Sequence, residues 1–103
     1  MATWGRTTGG SFGLTSSIVM PGAMWVHLAL VYDGSWIRLW QNGSMAIGTM
    51  RSGGPLRFDT SDIVLGADVD TGAVTLHLDG RLDEVRIYDR TLSDAEISML
   101  ASP

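Results

Sequence analysis

The chain has 103 residues, 45% of them hydrophobic and 17% charged, with a formal net charge of −4. That suits one domain with a modest core. Seven scattered arginines without a lysine do not make a nucleic-acid surface; the absence of cysteine excludes disulfides and a Cys-ligated zinc; no apolar run is long enough to span a membrane.

The opening MATWGRTTGG has one basic residue and no apolar stretch, so it does not have the form of a signal peptide. Residues 1–10 are expected to be a loose lead-in, or an arm that crosses to a partner. Thirteen glycines fall between short runs of Val, Ile, Leu, Trp and Tyr, the pattern of many short strands joined by turns.

The first clear strand is WVHLALVY, Trp25–Tyr32, followed by a turn at Asp33-Gly34. WIRLWQ, Trp36–Gln41, comes next, then Asn42-Gly43, which suits a two-residue type I′ turn because both positions need positive φ. Asn42-Gly43-Ser44 also fits an N-glycosylation acceptor, but the turn has a mechanism in the hairpin itself. SMAIGTM, Ser44–Met50, is the return strand, so residues 25–50 form a three-stranded meander. The turns predict Trp40 opposite Met45 and Arg38 opposite Ile47. One face then carries Leu28, Leu30, Tyr32, Ile37, Leu39 and Ala46. The other carries Trp25, His27, Ala29, Val31, Trp36, Arg38, Trp40, Met45 and Ile47. Both faces are apolar, whereas an antiparallel sheet with one wet face is apolar on one side only. The sheet therefore calls for cover on both sides, from the rest of the chain, a second copy or a ligand.

Beyond Gly-Gly-Pro lie the short runs LRF (Leu56–Phe58) and IVLGA (Ile63–Ala67), a loop DVDTG, and VTLHL (Val74–Leu78), which alternates with period two. Asp79-Gly80 turns into RLDEVRIY. The pattern then changes. Ser93 stands three residues before Glu96, a capping box, and Leu92 with Ile97 forms a hydrophobic staple. One short helix, roughly Asp94–Ala101, is expected, with Ile97 and Leu100 facing inward.

WVHLALVYDGSWIRLWQNG, then IVLGAD, then LDGRLDEVRIYDRTLSDAEISML resembles the laminin-G-like domains of the concanavalin A-like lectin/glucanase superfamily. The resemblance runs from about Ser11 to Leu100. It implies an all-β fold: an antiparallel jelly-roll sandwich, here one domain over residues 1–103, with one short C-terminal helix. It also implies a non-catalytic binding module in a secreted or cell-surface setting, with carbohydrate or protein as ligand, sometimes through calcium. Such domains are usually longer, so this one looks truncated. With the two apolar sheet faces, that leads to an expected homodimer or higher homo-oligomer.

Three groups of residues are candidate sites. Trp36, Arg38 and Trp40 alternate on one face, with His27 on the same side; indole faces stack on sugar rings and a guanidinium offers fixed donors. The competing fate of Trp40 is burial against Met45. Asp68 and Asp70 in ADVDTG, with Asp59 and Asp62 nearby, could begin a calcium site, although Asp is also common in turns for its own hydrogen bonds. Asp83 and Glu84 are neighbours on an expected strand and would point to opposite faces, whereas glycoside hydrolysis needs two carboxyl groups across one cleft. Pairing of Glu84 with Arg86 or another arginine, and backbone or side-chain hydrogen bonds to Asp83 near the Asp79-Gly80 turn, are the expected arrangement. The chain is thus expected not to be an enzyme. Its function is expected to be carbohydrate binding; a protein-interaction or assembly module is the first alternative and a glucanase-like hydrolase the second.

Overall fold

The computed structural model describes residues 2–7, 10–15, 22–50, 54–55, 60, 62–70 and 72–102. Two compact units emerge: Met1–Arg57 with Tyr88–Pro103, and Phe58–Ile87. The expected runs Leu56–Phe58 and Asp59 lie outside the described residues.

In the first unit, β1 (Ala2–Thr7) pairs antiparallel with β2 (Gly10–Thr15). The start of the chain is thus half of a hairpin. The meander follows: β3 (Leu28–Tyr32), β4 (Trp36–Gln41) and β5 (Ser44–Met50), in the order β3-β4-β5. β3 starts later than the sequence suggests, because Trp25 lies outside the ladder. The β3–β4 connection also moves by one residue. Asp33 N donates to Trp36 O at 3.2 Å, which leaves Gly34 and Ser35 as the loop. Gly34 has φ +95, the positive first position of a type II′ turn. Asn42 and Gly43 have φ of 49 and 83, the two positive values that a type I′ turn requires.

The predicted pairing of Trp40 with Met45 is present, but Arg38 faces Gly48 and Leu39 faces Ile47. The register shifts between Leu39 and Trp40, which makes Ala46 the extra residue of a β-bulge. Side chains alternate with period two, so one inserted residue sends Ile47 to the opposite face from the one expected. There it joins Tyr32 against the buried pair Ile37 and Leu39. Glycine at position 48 matches its place: a Cβ there would lie 3.3 Å from Arg38 Cγ.

The opposite face is covered by the last element, α1 (Asp94–Ala101). Its Ile97 is 1% exposed and packs with Val31 and Trp40, flanked by Ala29 and Leu92. This face needs no second chain to bury it. The capping box forms as predicted: Glu96 N donates to Ser93 Oγ at 3.2 Å, and Ser93 N donates to Glu96 Oε2 at 3.0 Å. Arg90 reaches the same carboxylate at 2.9 Å. The far end of α1 rests on the β4–β5 turn, where Ser98 Oγ donates to Gly43 O at 3.2 Å.

In the second unit, β6 (Asp68–Asp70) pairs with β7 (Ala73–Thr75), and Leu78 N donates to Gly66 O at 2.6 Å. The expected strands at Ile63–Ala67 and Arg81–Tyr88 are irregular, and VTLHL is a strand only as far as Thr75. A strand exists only through a partner's backbone, and among the described residues these segments have none to form a ladder with. Leu76 and Glu84 adopt φ of 51 and 53, values that break an extended run and are uncommon for side chains of this size.

Candidate functional site

One end of the β3–β4 hairpin gathers a polar and aromatic cluster. Asp33 Oδ1 accepts from Ser35 N at 2.9 Å and from Trp36 N at 2.7 Å, an Asx-type brace across the turn. Its other oxygen, Oδ2, takes Arg38 Nη1 at 3.0 Å. The Arg38 Cζ lies 5.3 Å from the centroid of the Trp36 ring, within cation–π range. Trp36 and Arg38 are two residues apart on one strand, so both project from the same face. The backbone N–H of Trp36, then that of Ser35, and finally Arg38 hold the Asp33 carboxyl below the ordinary aspartate range. Trp36, Arg38 and Asp33 all keep contact with solvent.

The other two candidates do not join them. Trp40 is 7% exposed and packs under α1, so it is a core residue and not part of a ligand platform. Alternation could not separate it from Trp36, since both share one face; the helix decides which of the two is covered. His27 sits at the opposite end of the hairpin. Its N–H donates to Asn42 Oδ1 at 3.0 Å and its carbonyl accepts from Asn42 N at 2.9 Å. Six residues of extended chain, roughly 20 Å, separate Trp36 from Asn42. Two buried nitrogens, His27 Nδ1 and Trp40 Nε1, have no hydrogen-bond partner among the described residues. A small cavity of about 120 Å³ lies beside Trp40, lined also by Arg38, Asp94 and Ile97. Small-molecule pockets typically run from about 300 to 1,000 Å³, so this cavity is smaller than a typical ligand pocket.

Asp68 and Asp70 lie in β6 and not in the loop expected for them. Asp62 is exposed. Among the described residues no group of three or more His, Asp or Glu is arranged to hold a metal ion. Asp83 and Glu84 also differ from the expected geometry, since neither belongs to a strand and no alternation of faces applies. Arg86 Nη2 pairs with Glu84 Oε2 at 3.0 Å, the partner expected, whereas Asp83 Oδ1 accepts from the neighbouring Glu84 N at 2.8 Å and not from a group of the Asp79-Gly80 turn. The residue that sequence reasoning missed is Asp33. The Asp-Gly signal marked it as a turn residue, and the same carboxylate also fixes the Arg38 that lies over Trp36.

The model of the Laminin_G_3 family, of the concanavalin A-like lectin/glucanases superfamily, matches residues 1–98, and the chain belongs to that family. Among solved structures, the chain is similar to the 2.1 Å crystal structure of an S-layer domain-containing protein (residues 221–444) from Clostridium thermocellum, with 31% identity and a TM-score of 0.71. The match covers 90% of this chain and 46% of that one, so the chain spans just under half of its neighbour. No curated protein matches it.

Proposed function

We propose that the chain is a non-catalytic module that binds carbohydrate on the hairpin platform of Trp36 and Arg38. One observation carries this reading: a half-buried indole that keeps contact with solvent lies against a guanidinium that is itself tied to Asp33. A sugar ring presents C–H groups to stack on an indole and hydroxyls to accept from a guanidinium. Arg38 gives one nitrogen to Asp33. A guanidinium has five N–H donors, so others remain for a ligand. The lectin/glucanase superfamily is compatible with a glycan ligand, and the neighbour named for an S-layer domain supports an extracellular or cell-surface setting. Calcium has no part in this reading.

Titration calorimetry against a panel of soluble polysaccharides tests it. At least one should bind, and Trp36→Ala should abolish the heat while leaving the circular dichroism unchanged. Equal binding by Trp36→Ala would reject the platform, and silence across the panel would reject the carbohydrate. Release of reducing ends from a β-glucan, lost in Glu84→Ala, would reject the non-catalytic assignment.

A further inference from the structure

Arg38 borders two features of the same unit. On one side it lies against the Trp36 ring and is tied to Asp33. On the other it lines the cavity of about 120 Å³ that Trp40 and the start of α1 enclose. Trp36, Arg38 and Trp40 follow one another on one face of β4 at steps of roughly 7 Å, so the cavity begins one step from the indole platform. A ring bound on Trp36 is therefore within reach of the cavity through a single substituent.

The lining divides by chemistry. Val31, Trp40 and Ile97 are buried and give the cavity an apolar wall. Arg38, Thr91 and Asp94 reach solvent and give it a polar side. Asp94 opens α1, and its carboxylate has no partner among the described residues. Trp40 Nε1 is buried and has none either. Buried donors are normally paired, so an acceptor is what this wall lacks. Volume narrows the choice. A cavity of about 150 Å³ takes a benzene ring, so this one suits a substituent and not a whole sugar. A hydroxymethyl group would leave much of it empty and bring no methyl to the apolar wall. A carboxylate would face Asp94, while the charge of Arg38 is already offset by Asp33. An acetamido group matches every part of the lining: an N–H for Asp94, an oxygen for Arg38 or Trp40, and a methyl for Val31 and Ile97.

We infer that the ligand is an N-acetylated amino sugar, with its ring on Trp36 and its acetamido group in the cavity beside Trp40. The inference rests on the platform reading of Trp36 and Arg38 and adds the class of sugar to it.

Paired sugars test it. N-acetylglucosamine, N-acetylgalactosamine and N-acetylmannosamine are titrated beside glucose, galactose and mannose, with saturation-transfer NMR as the readout. In at least one pair the N-acetyl sugar should bind more tightly by about tenfold or more, the worth of a buried methyl with one hydrogen bond. Its methyl protons should receive the strongest saturation. Asp94→Ala removes the acceptor and Thr91→Trp closes the cavity, and each should bring that ratio toward one. Both positions are exposed; circular dichroism checks the fold, and if one variant unfolds the other carries the comparison. Equal binding within every pair, lost in Trp36→Ala, would overturn the inference and leave the platform standing. Silence from the N-acetyl sugars would also overturn it, and the polysaccharide titration then judges the platform alone. A preference that Thr91→Trp removes and Trp36→Ala does not would support the acetamido site and reject the platform.

Discussion

At the scale of single residues, two tryptophans with the same alternation have different fates. Trp40 lies under Ile97, and Trp36 lies beside Arg38 at the hairpin end. Trp40→Ala should therefore cost about 3–5 kcal/mol, the usual result of emptying a buried aromatic site. Trp36→Ala should cost markedly less in the same denaturant melts, its effect falling on ligand binding. Gly43 makes the opposite point, because what matters is the absence of a side chain. Its φ is +83, and a Cβ there would lie 3.3 Å from Ala101 Cβ in α1. Gly43→Ala combines an unfavourable backbone with a crowded neighbour, and urea titration should show a loss of more than about 1 kcal/mol.

At the scale of elements, α1 is held by its first turn and by one buried side chain. Ser93→Ala removes the acceptor for Glu96 N and should cost about 0.5–2 kcal/mol. Ile97→Ala empties the contact with Val31 and Trp40 and should cost about 2–5 kcal/mol. The pH response follows from Glu96 and Asp33. Arg90 first, then the backbone N–H of Ser93, hold the Glu96 carboxyl below its ordinary value. Backbone hydrogen bonds do the same for Asp33. A carboxyl lowered in the folded state contributes stability that is present above its unfolded value and is lost as pH falls through the folded one. Thermal melts should thus show little change from these groups near neutrality and a decline below the ordinary carboxylate range. In Glu96→Gln that decline should be smaller, because one of the two groups no longer titrates. Both sites are exposed, so added salt should reduce the effect of their ion pairs.

At the scale of the whole molecule, the two units present different surfaces. One buries side chains on each face of its three-stranded sheet, Ile37 and Leu39 on one side and Val31 and Trp40, under Ile97, on the other. The other buries none of its described side chains. The two apolar faces of the meander, together with the shortness of the chain, pointed to self-association. The helix removes the first of these grounds for the Trp40 face. Sedimentation velocity across a dilution series answers the question at this scale, through mass and not through stability.

Local chemistry determined what lies within a few residues of its cause. Asn42-Gly43 specified a turn of two positive φ angles, and Ser93 with Glu96 specified the start of α1. The alternation in WIRLWQ specified a strand, and the three motifs together pointed to the lectin/glucanase superfamily. Tertiary structure decided what depends on distant partners. The bulge at Ala46 moved Ile47 to the other face, because register is settled by which side chains find a core. The same packing put Trp40 under a helix more than fifty residues away in sequence and left Trp36 only half-buried. RLDEVRIY has the pattern of a strand yet forms none among the described residues, since alternation expresses a preference and only a neighbouring backbone supplies the hydrogen bonds that fulfil it.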